Sequence, residues 1–125
     1  MKSLSKFFIL CFLLANYGLQ NNKLHAQAPP GFNYQAIARD SDGYELANTN
    51  ILARFAIRTF SGTGTIVYQE TDTTSTNRFG LFSLVIGSNT NPDIGVFSAI
   101  PLANGKHFLQ VKISTDNGAN FTDLG

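Results

Sequence analysis

The residues that could do chemistry are few, and the first group lies near the start of the chain. Asp40-Ser41-Asp42-Gly43, followed by Glu45, places alternating carboxylates beside a glycine, as calcium-binding loops do. Such a loop also needs further oxygen ligands and a closing bidentate glutamate, and the neighbouring residues do not supply them. We therefore expect a β-turn in which aspartate caps backbone N–H groups and Gly43 takes a positive φ.

A second group combines acidic residues and one imidazole. Glu70 and Asp72 lie two apart, so on a strand they share one face. Paired carboxylates serve glycoside hydrolysis, but they need a deep cleft and one raised pKa. A domain this small rarely builds both, so we expect a solvated strand face. His107 has no partner at zinc-ligand spacing, so we predict no metal site and no cofactor.

Known catalytic motifs are missing. The run Gly62-Thr63-Gly64-Thr65 is not followed by the lysine and helix start of a phosphate-binding loop. No Gly-x-Ser-x-Gly motif is present, and no Ser-His-Asp set suggests itself. We therefore predict no catalytic residue and no enzyme activity.

Aromatic residues are numerous and are the remaining candidates for binding. Packing in the core or at a sheet edge is the simpler expectation for all of them. Tyr44, Phe60 and Phe79 fall near turns, where exposed rings would stack on sugars or dock a neighbouring domain. These three residues form the candidate binding surface.

The strands that would position these residues are expected to begin after an N-terminal leader, residues 1–26. Lys2 and Lys6 precede the apolar run Phe7–Ala15, and residues 1–26 have the layout of a secretory signal peptide. The run is too short for a membrane anchor, which needs about 20 apolar residues. Cleavage after Ala26 and cleavage after Ala28 both remain open. The predicted location is secreted or on the cell surface, with no membrane span after cleavage.

Removal of the leader changes the available chemistry. Cys11 leaves with it, so the remaining domain has no thiol and no disulfide. From Gln27 onward, six Lys and Arg residues face eight Asp and Glu residues, a net charge of −2. Nucleic-acid and anionic-membrane partners both need a clustered basic face, and this composition argues against them.

Alternation of apolar and polar residues dominates the chain after the leader. In Ile51–Thr59 the odd-numbered positions are mostly apolar, whereas the even-numbered positions include Arg54 and Arg58, so the odd face is predicted to be buried. Leu81–Ile86 and Phe108–Ser114 alternate in the same way, and Ser114 is expected to point outward. Further strand candidates are residues 34–39 and 66–71, and a turn of helix fits residues 96–102. This spacing predicts an all-β, two-sheet antiparallel sandwich.

Three separated blocks carry a family resemblance. They are Pro30–Asp40 (PGFNYQAIARD), Asn77–Gly87 (NRFGLFSLVIG) and Phe121–Gly125 (FTDLG). Together they resemble the N-terminal domain of a large group of exported proteins from Bacteroidota. The resemblance implies a transthyretin-like or carboxypeptidase-regulatory-like sandwich that heads surface proteins with collagen-like or tail-fibre-like regions downstream. It supplies no active-site residues.

The C-terminal residues indicate that a further strand is expected. Extended structure begins at residues 120–124, and in the resembling proteins the pattern continues into another strand. We therefore expect residues 29–125 to form one sandwich domain that lacks its last strand because the chain is a fragment. The expected role is a structural or assembly module whose partners are the downstream region or other surface proteins. The alternative is a glycan- or protein-binding adhesion module that uses the loop aromatics.

Overall fold

The computed structural model describes residues 31–124, and this part of the chain is almost entirely β-structure. The signal-peptide prediction lies outside the described residues. Within them, no helix is long and apolar enough to cross a membrane. The strands are β1 (Phe32–Ile37), β2 (Asn50–Thr59), β3 (Ile66–Ser75), β4 (Leu81–Ile86), β5 (His107–Ser114) and β6 (Thr122–Asp123), with a 3₁₀ turn at Phe97–Ala99.

The strands form two antiparallel sheets. The larger sheet has the order β3-β2-β5-β6, and the smaller one pairs β1 with β4. Both sheets contribute side chains to one core, which confirms the predicted all-β, two-sheet antiparallel sandwich. The buried apolar residues are Ala38, Ile51, Ala53, Phe55, Ile57, Tyr68, Phe82, Ile86, Val111 and Ile113.

Strand β2 is the centre of the larger sheet, because β3 and β5 pair with it on both sides. Its odd-numbered apolar residues are buried, whereas Arg54 and Arg58 lie on the opposite face. The alternation thus identified the buried face correctly. The reason is electrostatic, since an unpaired guanidinium in the core would lose its hydration.

The smaller sheet covers this core from the other side. Its register runs from Phe32 opposite Ile86 to Ile37 opposite Leu81. The Tyr34 ring meets Phe55 edge-on, with ring centroids 5.1 Å apart. Edge-to-face rings are favourable beyond their buried area, and this contact joins the two sheets through their side chains.

Three details differ from the sequence expectation. Strand β1 covers Phe32–Ile37 rather than residues 34–39. Strand β3 extends to Ser75 rather than ending at Thr71. Ser114 is buried rather than outward, because its hydroxyl donates to Asp116 Oδ1 at 2.6 Å and accepts the Gly118 N–H at 2.9 Å. A hydroxyl with these partners can be buried at little cost. The predicted helical turn is present as the 3₁₀ turn.

Strand β2 separates two groups of loops. One group, the Tyr44 end, comprises residues 38–49, 76–80 and 115–121. The other, the Phe60 end, comprises residues 60–65 and 96–107. The ten residues of β2, at about 3.4 Å each, place these ends roughly 30 Å apart.

Candidate functional site

Tyr44 is presented by a tight turn whose geometry follows from Asp40. The Asp40 carboxylate accepts the N–H groups of Asp42 at 3.0 Å and of Tyr44 at 2.9 Å. Gly43 has a φ of 88°. The predicted aspartate-capped turn is therefore confirmed, and it leaves 71% of Tyr44 exposed.

Phe79 is presented by a second turn of the same kind. The Asn77 side-chain oxygen accepts the N–H groups of Phe79 at 2.8 Å and of Leu81 at 3.0 Å. The Phe79 ring is 58% exposed, and the Arg78 guanidinium lies 4.5 Å from its centroid. The Asn48 N–H bonds to the Asn77 carbonyl at 3.0 Å, so the loops that carry Tyr44 and Phe79 are in contact.

An open cleft of about 260 Å³ lies at this end, between the loop that follows β1 and the turn that follows β5. Asp116 borders it and accepts hydrogen bonds from the Ser114 hydroxyl and from Asn120. These bonds, the Ser114 bond first, lower the pKa of Asp116 to about 2. The cleft lining is mostly polar and charged: Arg39, Asp40, Ser41, Leu46, Ile113, Ser114, Thr115, Asp116, Asn120 and Thr122.

Phe60 occupies the opposite end of the molecule. It follows β2 in the hairpin to β3, and its N–H bonds to the Lys106 carbonyl at 2.9 Å. Its side chain is 81% exposed, more than any other large apolar side chain within residues 31–124. The structure thus brings Tyr44 and Phe79 together and places Phe60 apart from them. For all three residues the expectation of core or edge packing was wrong.

Leu102 is an exposed side chain that the sequence reasoning passed over. It is 55% exposed in the loop that contacts Phe60 through Lys106. The signal was present in the sequence, because Pro101 and the Asn104-Gly105 pair mark a turn on either side of it.

The acidic pair on β3 is not the solvated strand face that was expected. Glu70 is fully buried and accepts hydrogen bonds from the Tyr68 hydroxyl and, at 3.0 Å, from the Gly87 N–H. Asp72 accepts one from Asn89 at 2.8 Å. Burial first, and then the negative charge of Glu70, raise the pKa of Asp72. The prediction failed because β3 lies at the sheet edge beside the 87–96 loop, whose backbone and side chains supply donors.

The outer face of the larger sheet is covered by its own polar contacts. Arg54 stacks on the Phe121 ring at 3.7 Å and donates to Thr71 at 3.1 Å. Arg58 donates to Gln110 and, at 2.8 Å, to the Gly64 carbonyl. Gln110 in turn donates to Asp123 at 2.6 Å. Both guanidinium groups therefore have partners within the fold.

The structure offers little for a metal. Within residues 31–124, no group of three or more His, Cys, Asp or Glu side chains could hold an ion. His107 is half-buried, and its Nε2 is shielded from solvent without a hydrogen-bond partner among the described residues. A single imidazole nitrogen falls short of the three or four protein ligands of a zinc site.

Fold and surface together define a small all-β sandwich domain whose most exposed apolar side chains lie on loops at its two ends. The chain belongs to the family described as domain of unknown function DUF8740, whose model matches residues 33–124. No curated protein and no solved structure matches the chain.

Proposed function

We propose that this domain is a non-catalytic structural module of a secreted or cell-surface protein, and that it joins other protein surfaces through its two ends. One observation carries the proposal. The five most exposed large apolar side chains within residues 31–124 all lie on end loops: Phe60, Tyr44, Val96, Phe79 and Leu102. A module that is joined end to end with its neighbours needs contact residues on the loops at its two ends.

The sheet faces support the same role. The outer face of the larger sheet is held by the hydrogen bonds of Arg54 and Arg58. The buried Glu70 carboxylate is bonded to Tyr68 and Gly87, and the half-buried Asp72 is bonded to Asn89. These groups serve stability, and the end loops remain for association. The signal-peptide layout and the family resemblance of the sequence agree with an exported location.

Site-specific photo-cross-linking in the native host tests this function. A benzoylphenylalanine in place of Tyr44 or Phe60 is expected to give adducts with polypeptide, identified by mass spectrometry. The matched control carries the same group in place of Val85, which is 43% exposed on the smaller sheet, and is expected to give few adducts. Equal labelling at all three positions, or no adduct at either end, would contradict the proposal.

A glycan-binding role is the second candidate, and the polar cleft at the Tyr44 end favours it. Sugar sites pair aromatic rings with hydrogen-bonding side chains, and Arg39, Asp40 and Asn120 supply the latter here. Binding on a glycan array should then be lost with Tyr44→Ala and Phe79→Ala and kept with Phe60→Ala, which lies at the other end. Loss with all three variants would argue against a site at this end.

A further inference from the structure

The two ends differ in charge as well as in position. Two arginines and four carboxylates lie at the Tyr44 end, which gives it a net charge of −2: Arg39, Arg78, Asp40, Asp42, Glu45 and Asp116. Arg39 is already paired with Glu45 at 3.0 Å. The exposed rings of Tyr44 and Phe79 therefore stand in acidic surroundings.

The Phe60 end has the opposite character. Residues 60–65 and 96–107 contain no carboxylate, and Lys106 is exposed beside the Phe60 backbone. Arg58 reaches this end through its bond to Gly64. Asp93, the loop carboxylate closest to residue 96 along the chain, is held on β3 by Thr71 at 2.7 Å and Gln69 at 3.3 Å. This end is thus apolar and basic.

The conformation of Phe60 indicates that its exposure is built into the fold. Its φ is 67°, in the left-handed region that bulky residues rarely adopt. The hydrogen bond to the Lys106 carbonyl holds the backbone there, and the ring points to solvent. Strain of this kind, retained by surrounding contacts, is common where a side chain serves recognition.

We propose that the Phe60 end of one copy docks onto the Tyr44 end of a second copy. The inference rests on the proposed function and names its partner. The two surfaces are complementary, since each presents exposed apolar side chains and they carry opposite charge. Because they are different surfaces at opposite ends of one chain, the contact is head-to-tail and repeats into rows.

Sedimentation velocity of the purified chain tests the contact. The average mass is expected to rise between about 10 μM and about 1 mM, the range of weak association. It should fall again when the ionic strength is raised to about 1 M, where screening acts within about 3 Å. Lys106→Glu should reduce association at least several-fold. A chain that stays monomeric throughout this range would overturn the proposal.

Blocking each end separately gives the sharper test. Phe60→Asn, which tolerates the left-handed backbone, should be monomeric, and so should the double variant Tyr44→Ser/Phe79→Ser. An equimolar mixture of the two has one intact pair of surfaces and should form a one-to-one dimer and nothing larger. Rows that persist in either variant, or a mixture that stays monomeric, would refute a head-to-tail contact.

Two controls separate the causes of failure. Val85→Ser removes an exposed apolar side chain from the smaller sheet and should associate as the unaltered chain does. Thermal melting of every variant checks that the fold is retained. If the chain is monomeric while the Tyr44 and Phe60 positions still cross-link to other polypeptides, the head-to-tail contact fails and the structural role stands. If those cross-links are absent as well, both fail.

Discussion

Glu70 has no exposed surface, which is rare for a carboxylate unless it is well bonded. Two donors serve it, the Tyr68 hydroxyl and the Gly87 N–H. The same arrangement acts on Tyr68, because burial, then the hydrogen bond to Glu70, and then the Glu70 charge raise the pKa of the phenol. The Tyr68 phenol therefore stays protonated and donates to Glu70. A substitution that removes this donor leaves the buried carboxyl group with one partner fewer.

Tyr68→Phe should lower the free energy of unfolding by about 1.5–3 kcal/mol, the contribution of a hydrogen bond to a charged group. The matched control is Tyr34→Phe, because the Tyr34 ring also lies in the core region and its hydroxyl makes no hydrogen bond with the described residues. Its effect should stay within about 0.5 kcal/mol. Urea unfolding measures both, and equal losses would show that the Glu70 bond contributes nothing special.

Asp72 and Asp116 should make the free energy of unfolding depend on pH in opposite directions. The pKa of Asp72 is raised above 3.8 in the folded chain, so the folded state binds more protons and stability falls as pH rises through that window. The pKa of Asp116 is lowered from 3.8 to about 2, so its contribution is present above 3.8 and is lost as pH falls toward 2. Unfolding of Asp72→Asn and Asp116→Asn at a series of pH values checks this. Each variant should lose the corresponding dependence, and identical profiles would contradict the assignment.

At the scale of elements, the 3₁₀ turn is fixed to the sandwich by one aromatic ring. Phe97 packs on Tyr68 edge-on at 5.3 Å and lies against Gly87, where an added Cβ would come within 2.6 Å of the ring. Gly87 also has a φ of 91°. Both the backbone and the space therefore require glycine after β4.

Gly87→Ala and Gly43→Ala form a matched pair, because both glycines have a positive φ and only Gly87 has a close neighbour. Gly43→Ala should cost about 1–2 kcal/mol from backbone strain alone. Gly87→Ala should cost about 1–3 kcal/mol more, because Phe97 must move. Thermal and urea unfolding compare the two. A Gly87 loss no larger than that of Gly43 would mean that Phe97 relocates freely.

Some strands and turns could be predicted from the sequence, and others could not. The buried face of β2 follows from Arg54 and Arg58, and the Asp40 turn follows from its residue types. The C-terminal end and the buried face of β3 could not be predicted from alternation, because its C-terminal half is rich in threonine and its buried face contains Glu70. The burial of Glu70 depends on Gly87, a contact set by long-range pairing.

For the candidate site, the sequence predicted the turns but not which of the three aromatic residues lie at the same end. Turn residues around Tyr44, Phe60 and Phe79 correctly marked them as candidates for exposure. Which of them share an end depends on the order and direction of the strands. The contact between the Asn48 and Asn77 loops joins two of them, and the sequence contains no local signal for it.

For the whole molecule, the two sheets should differ in how readily they open. Strand β2 is hydrogen-bonded on both sides, β6 has only two residues, and the smaller sheet joins the core through side chains such as Tyr34. Amides that are bonded within a central strand exchange only on global unfolding, whereas edge elements open locally. Hydrogen exchange should therefore be slowest in β2, faster in β1 and β4, and fastest among the strands in β6. If β1 and β4 outlasted β2, the smaller sheet would be the stable unit, and a rigid in-line spacer built on the larger sheet would lose its physical basis.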